Sequence, residues 1–199
     1  MRGPSLPPAS QDPATAHRAP AQAGVAVRDA AVPDLPEITA IYAHHVLHGT
    51  GTFEEIPPSV EAMEARHQEG LAAGYAWLVA TDATGVLGFA YYGGFRARTA
   101  YRATVEDSVY VRDDVRGQGV GRTLLASLVA RAEAAQFRQM LAFIGDSENI
   151  GSIGMHASAG FARTGILRAT GIKFGRWLDV VIMQRALGQG DAAAPETQP

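Results

Sequence analysis

Two groups of residues between Thr104 and Leu125 are of types that could act together. Arg116-Gly117-Gln118-Gly119-Val120-Gly121-Arg122 opens an amphipathic pattern with glycines set between two arginines, and Glu106 precedes it in Thr104-Val-Glu-Asp-Ser-Val-Tyr-Val111. Glycines at a helix N-terminus let backbone N–H groups approach an anion with no Cβ in the way, and the helix dipole adds positive charge there. The chemistry this suggests is capture of a phosphorylated ligand, with a pyrophosphate in the turn. The Walker pattern GxxxxGK[ST] is absent, and GxGxxG is not met because Leu124 stands where a third glycine would follow Gly119 and Gly121. A tight strand-to-helix turn is the other use of the same glycines.

Glu106 needs its own reason. Glutamate is disfavoured in strands, and the neighbouring Val105, Val109 and Val111 mark a buried sheet, so this carboxylate is expected to be functional or paired. Strand alternation puts Ser108 on the face of Glu106 and Asp107 on the opposite one. The chain has no cysteine, which excludes disulfide frameworks, thiolate metal sites and cysteine nucleophiles. His44 and His48 are spaced to share a helix face, but HExxH is absent and no third ligand accompanies them, so no metal is expected.

Charge and composition narrow the partners. Lys plus Arg number 17 against 20 Asp plus Glu, a net charge of −3 that argues against non-specific nucleic-acid binding. The longest apolar runs, Ala76 to Ala80 and Val180 to Met183, fall far short of a membrane span. Residues 1–23 are rich in Pro and Ala and lack the continuous apolar core of a signal peptide. They read as a disordered extension of a soluble, cytoplasmic protein.

The elements that must position these residues follow in order. Val25 to Arg28 alternates as a short strand, and Asp34 begins a helical pattern through Ile38, Ile41, Tyr42 and His45 that ends at Gly49 and Gly51. Ser59 can cap a second helix running to Gly70. Tyr75 to Thr81 and Val86 to Tyr92 read as a hairpin about Asp82-Ala-Thr-Gly85. The basic, aromatic segment Phe95 to Arg102 leads into the Thr104–Val111 strand. Beyond the glycine turn, Leu124, Leu125, Leu128, Val129 and Ala132 recur at helical spacing to about Ala135. Met140 to Ile144 is a further strand, Asn149 to Ala159 a helix, and Phe161 to Leu167 and Trp177 to Arg185 two last strands. The expected fold is a single α/β (α+β) domain over residues 24–187, its mixed, mostly antiparallel sheet flanked by helices, with a flexible tail over 188–199.

The glycine turn resembles the coenzyme A pyrophosphate loop of the GNAT superfamily of acetyltransferases. Ile41-Tyr-Ala-His-His-Val-Leu47, Thr52-Phe-Glu54, Thr104 to Val111, Ser152-Ile-Gly-Met-His156 and Gly171 to Asp179 together resemble the phosphinothricin and methionine sulfoximine N-acetyltransferase family, over about Val25 to Leu187. The resemblance implies a GNAT fold and transfer of acetyl from acetyl-CoA to the α-amine of a small amino acid or analogue, by direct attack on the thioester. A protonated amine cannot attack, so a group must remove its proton.

By that resemblance Glu106 is the general base and His156 a group that protonates the departing thiolate or relays a proton. It further implies that Val109, Tyr110 and Val111 pair with the pantetheine arm, that Arg116, Gly117, Gln118, Gly119, Val120, Gly121 and Arg122 hold the pyrophosphate, and that Asn149 lies near the pantetheine. Asn149 is also the natural N-cap of the helix that follows. For the acceptor, Arg96, Arg98 and Tyr101 match positions that meet acidic groups, as an arginine fork can. Phe53, Ser108 and Val180 complete that side. The chain departs from the family at Ala157-Ser158-Ala159 and at Ala43. A homodimer is implied, and the apolar final strand near Val180 to Met183 allows one without requiring it. Acetylation of a peptide N-terminus or other amine, or CoA binding without catalysis, are the alternative readings.

Overall fold

In the computed structural model, residues 24–194 are described. The expected extension over 1–23 and the end of the tail lie outside them. Strands β1 (Ala26–Asp29), β2 (Trp77–Asp82), β3 (Gly85–Gly94), β4 (Thr104–Val111), β5 (Gln139–Gly145), β6 (Ala162–Lys173) and β7 (Arg176–Ala186) form one sheet in the order β1-β2-β3-β4-β5-β7-β6. Every neighbouring pair is antiparallel except β4 and β5, which run parallel. The mixed, mostly antiparallel sheet expected from the sequence is thus present.

Helices cover both faces. Alternation in β2 sends Trp77 and Val79 to one side and Leu78 and Ala80 to the other, and the two faces build two apolar clusters. Helices α1 (Leu35–His48) and α2 (Val60–Ala72) cover the first through Ile38, Ile41, Tyr42, Val46 and Met63. Helix α3 (Val120–Ala134) covers the second through Leu124, Leu125, Leu128 and Val129, and α4 (Ile150–Ser158) follows β5 on that side. Ser59 caps α2 by accepting from the Ala62 amide at 3.2 Å. Asp34 precedes α1 without capping it, because its carboxylate is held by Arg28 at 2.6 and 2.7 Å and by the Ala31 amide at 2.8 Å.

The last hairpin is longer than its sequence pattern indicates. Alternation breaks at Arg168-Ala169-Thr170-Gly171, yet β6 continues to Lys173 because a register shift between Leu167 and Gly171 absorbs the extra residues. Asp179 on β7 holds this irregularity by accepting from the Ala169 amide at 3.0 Å and from Arg168 at 2.6 Å. Val180 to Met183, the apolar run of the final strand, pairs on both sides, between β5 and β6, with Val181 and Met183 in the core. At the tip of this hairpin Ile172, Phe174 and Trp177 are exposed, and Leu167 is exposed further along β6.

Close approach of β3, β4 and α3 requires a glycine. A Cβ at Gly88 would lie 2.7 Å from the Tyr110 carbonyl oxygen and 3.2 Å from Leu124 Cδ1 and Val111 Cα. Because backbone rather than a flexible side chain would have to give way, Gly88→Ala should destabilise the fold by about 1–3 kcal/mol, the usual cost of overpacking. Urea denaturation measures it, and an unchanged midpoint would show that the three elements are not rigidly packed.

Candidate active site

The site begins where a strand pair parts. Strands β4 and β5 are in register from Thr104↔Gln139 to Asp107↔Ala142, and the pairing stops there. Beyond it the second half of β4 keeps only β3 as a partner. The Arg112 amide donates to the Leu87 carbonyl at 2.8 Å, and in an antiparallel pair successive residues turn their backbone groups to opposite edges. Tyr110 therefore faces β3, while the N–H and C=O groups of Val109 and Val111 face the gap. The Val111 carbonyl is met by His45 Nε2 at 2.9 Å, where burial lowers the His45 pKa and favours the neutral ring that donates this bond.

The glycine turn stands at the open end of the gap. Gly117 and Gly119 have φ of 76° and 88°, left-handed conformations that suit glycine, and a Cβ at either would meet nothing within 4 Å. The first intrahelical bond of α3 runs from the Thr123 amide to the Gly119 carbonyl at 3.0 Å, so the amides of Val120, Gly121 and Arg122 precede it. Gly121 lets the helix sit close, since a Cβ there would be 2.9 Å from Met155 Sδ and 3.3 Å from Val111 Cγ2. Arg116 is exposed and pairs with Asp113 at 3.1 Å. An unpaired strand edge leading to a helix N-terminus beside arginine fits an extended amide-bearing chain that ends in a pyrophosphate, the shape of acetyl-CoA.

On the α1/α2 face, β4 lines a cleft of about 540 Å³ with Glu106, Ser108 and Tyr110. Phe53, Arg96 and Val180 line it as well, with Tyr91, Phe95, Phe143, Leu167 and Thr170, none of which the sequence singled out. Burial raises the Glu106 pKa, the Asp107 charge raises it further, and Arg96 opposes both. Arg98 and Tyr101 do not line the cleft. Tyr101 packs edge-on against Phe95 with ring centres 5.3 Å apart, which ties it to the wall from outside.

His156 lies on the other face of β4. It is 3% exposed, with Nε2 2.9 Å from Asp107 Oδ2 and Nδ1 2.8 Å from the Ser152 carbonyl. Burial works against its protonation, but the hydrogen bond and charge of Asp107, helped by the Ser152 carbonyl, raise its pKa overall. Asp107 Oδ1 is buried without a hydrogen-bond partner. The pair joins α4 to β4 at the last residue before the strands part. Asn149 caps α4 by accepting from the Ser152 amide at 3.2 Å while its own amide donates to the Gly145 carbonyl at 3.1 Å. Asp107 was placed on its face by alternation, but only the fold brings His156 to it. Among the described residues, no group of three or more His, Cys, Asp or Glu is arranged to hold a metal.

A parallel strand pair that opens toward a glycine-headed helix, with a half-buried carboxylate at its root, is suited to hold an extended, phosphate-bearing ligand beside a proton acceptor. The Acetyltransferase (GNAT) domain family matches residues 27–182. The chain belongs to the GNAT acetyltransferase family. It is 50% identical over 198 residues to phosphinothricin N-acetyltransferase of Alcaligenes faecalis, covering 96% of this chain and 100% of that one. Identity is 46% over 159 residues to an L-methionine sulfoximine/L-methionine sulfone acetyltransferase of Pseudomonas paraeruginosa, with 79% and 92% covered. The crystal structure of a phosphinothricin acetyltransferase from Sinorhizobium meliloti in complex with acetyl-CoA superposes with a TM-score of 0.83 at 47% identity, covering 86% of this chain and 93% of that one.

The Asp107–His156 pair makes a prediction about pH. A histidine with a raised folded pKa adds stability below its unfolded pKa of about 6.5, and that stability is lost as pH rises through the folded pKa. Wild-type stability should therefore carry a falling component across this window, with a limiting slope of about 1.4 kcal/mol per pH unit. In Asp107→Asn the burial effect dominates at His156 and this component should reverse sign. Urea denaturation over a pH series compares the two, and parallel profiles would contradict the pairing.

Proposed function

We propose that this chain transfers acetyl from acetyl-CoA to the α-amine of a small amino-acid analogue of the phosphinothricin, methionine sulfoximine or methionine sulfone type. The observation that carries the reading is Glu106: a carboxylate with a raised pKa, at the root of the strand gap and beside Arg96 in the acceptor cleft. Acetyl-CoA, when bound, supplies the activated acetyl group and a thiol leaving group. The gap-facing backbone of Val109 and Val111 and the amides of Val120, Gly121 and Arg122 hold that carrier, with Arg116 and the flanking turn residues Gly117, Gln118 and Gly119 around its pyrophosphate.

Arg96 binds the acceptor's carboxylate or its phosphinyl or sulfur-bound oxygens as a fork, and Phe53, Phe143, Leu167 and Val180 enclose its aliphatic part. That places the amine toward Glu106, which takes the proton. A base with a pKa above the ordinary carboxylate range is better matched to an ammonium than a solvent-exposed glutamate would be. Asp107 supplies part of that shift through its charge, and His156 acts through Asp107 rather than on the substrates, since both its ring nitrogens are engaged. Tyr101 supports the wall that Phe95 forms. Support for a homodimer comes from the apolar tip of the β6–β7 hairpin, where Trp177 is 63% exposed beside Ile172 and Phe174. A cytoplasmic location accords with a substrate drawn from the acetyl-CoA pool.

The test is a panel of acceptors followed by CoA release, with Glu106→Gln alongside. The wild type should acetylate the amino-acid analogues in preference to peptide N-termini. In Glu106→Gln, kcat/KM should fall about 10²–10⁴-fold, the usual worth of a general base, while acetyl-CoA affinity stays near wild type. Unchanged turnover in the variant would remove Glu106 as the base, and turnover of peptides alone would remove the acceptor assignment.

A further inference from the structure

Of the 17 Lys and Arg residues in this chain, only Lys173 is a lysine, and it is buried. It ends β6 and is 1% exposed, with its ammonium donating to the Gly49 carbonyl at 2.9 Å and to the Thr52 carbonyl at 2.8 Å. The Phe174 ring centre lies 5.1 Å away. Burial lowers the Lys173 pKa, and the charges of Glu55 and Glu54 partly offset this. A buried ammonium is costly, so its presence calls for a task that a neutral residue could not perform.

Both carbonyls belong to the segment that leaves α1 and forms one wall of the acceptor cleft. Gly51, Thr52 and Phe53 line that cleft. Gly49 is the residue after the last turn of α1, where the helix dipole favours a cation. The Phe53 ring fills a notch left by two glycines of the sheet: a Cβ at Gly171 would fall 2.2 Å from Phe53 Cε1, and one at Gly145 would fall 2.9 Å from Phe53 Cε2. Lys173 stands two residues beyond Gly171 on the same strand, so one strand both seats the ring and anchors the backbone that carries it. A compact ammonium with rotatable donors can meet two carbonyls in a confined site, where a planar guanidinium would need more room.

We propose that Lys173 is a positioning residue for the acceptor: it clamps the Gly49–Phe53 segment so that Phe53 and Thr52 hold the shape of the acceptor cleft. It acts through the loop and touches neither substrate. The consequence for kinetics rests on the acceptor assignment above, whereas the clamp itself does not.

Two measurements test it. In Lys173→Met the acceptor KM should rise about tenfold or more, while kcat at saturation and the KM for acetyl-CoA change by less than about twofold, because only the acceptor wall is loosened. An unchanged acceptor KM, or equal losses in both KM values and kcat, would overturn the proposal. In Lys173→Gln the side-chain nitrogen stops one bond short of the ammonium position, so hydrogen–deuterium exchange of the 49–56 segment should accelerate relative to wild type while β4 and α3 keep their protection. Wild-type protection of that segment in Lys173→Gln would equally overturn the clamp, whether or not Lys173→Met folds. Should the wild type acetylate none of the amino-acid analogues, the acceptor assignment fails while the exchange comparison still decides the clamp.

Discussion

The structure depends on a strand that is paired along its whole length on one side and along half of it on the other. Strand β4 keeps β3 throughout but loses β5 after Asp107. Backbone groups in a protein interior must find partners; with the Val111 carbonyl met by His45, the groups that face the gap are the N–H and C=O of Val109 and the N–H of Val111, which suit a ligand that can pair like a strand. The pantetheine arm of acetyl-CoA carries amide groups of that kind. The glycine turn at the end of the gap then needs only to meet the phosphates. On the proposed reading the carrier is held by backbone geometry more than by side chains.

The same strand separates the two halves of the chemistry by its alternation. Glu106 faces the cleft under α1 and α2, which we propose takes the acceptor, and the Asp107 side chain faces α4 and His156. Two carboxylates on consecutive residues of a buried strand would repel each other, and the histidine meets one of them. What remains of that repulsion, added to burial, keeps Glu106 above the ordinary carboxylate range, where it is suited to take a proton from an amine. The acceptor wall is assembled from distant parts, with Phe53 arriving from the α1–α2 connection and seated on glycines of β5 and β6.

Much of this was legible because it is local. The bounds of β4 follow from its valines, and Glu106 stands out because an acid in such a strand needs a purpose. The glycines at 117, 119 and 121 mark a helix start by themselves, and Ser59 and Asn149 were visible as caps. What the sequence hides is contact across distance. His156 is 49 residues from Asp107 in the chain, and its helix shows no sign of the partner it meets. Lys173 lay beyond the apparent end of β6, which the Ala169–Gly171 irregularity obscured, and its carbonyl partners are more than a hundred residues away. Arg98 belongs to the same motif as Arg96, yet only Arg96 lines the cleft, since position in a loop does not fix direction. The apolar run Val180 to Met183 marks a strand but not its place between β5 and β6, because composition cannot tell a central strand from an edge.

The central claim is that β4 presents its backbone to acetyl-CoA beside Glu106. Residue-resolved amide exchange by NMR, with and without acetyl-CoA, tests it most directly. Binding should slow exchange at Val109, Val111 and Val120 to Arg122 and leave Tyr110, already paired with β3, unchanged. Protection confined to other segments, with Val109 and Val111 exchanging as in the free protein, would contradict it.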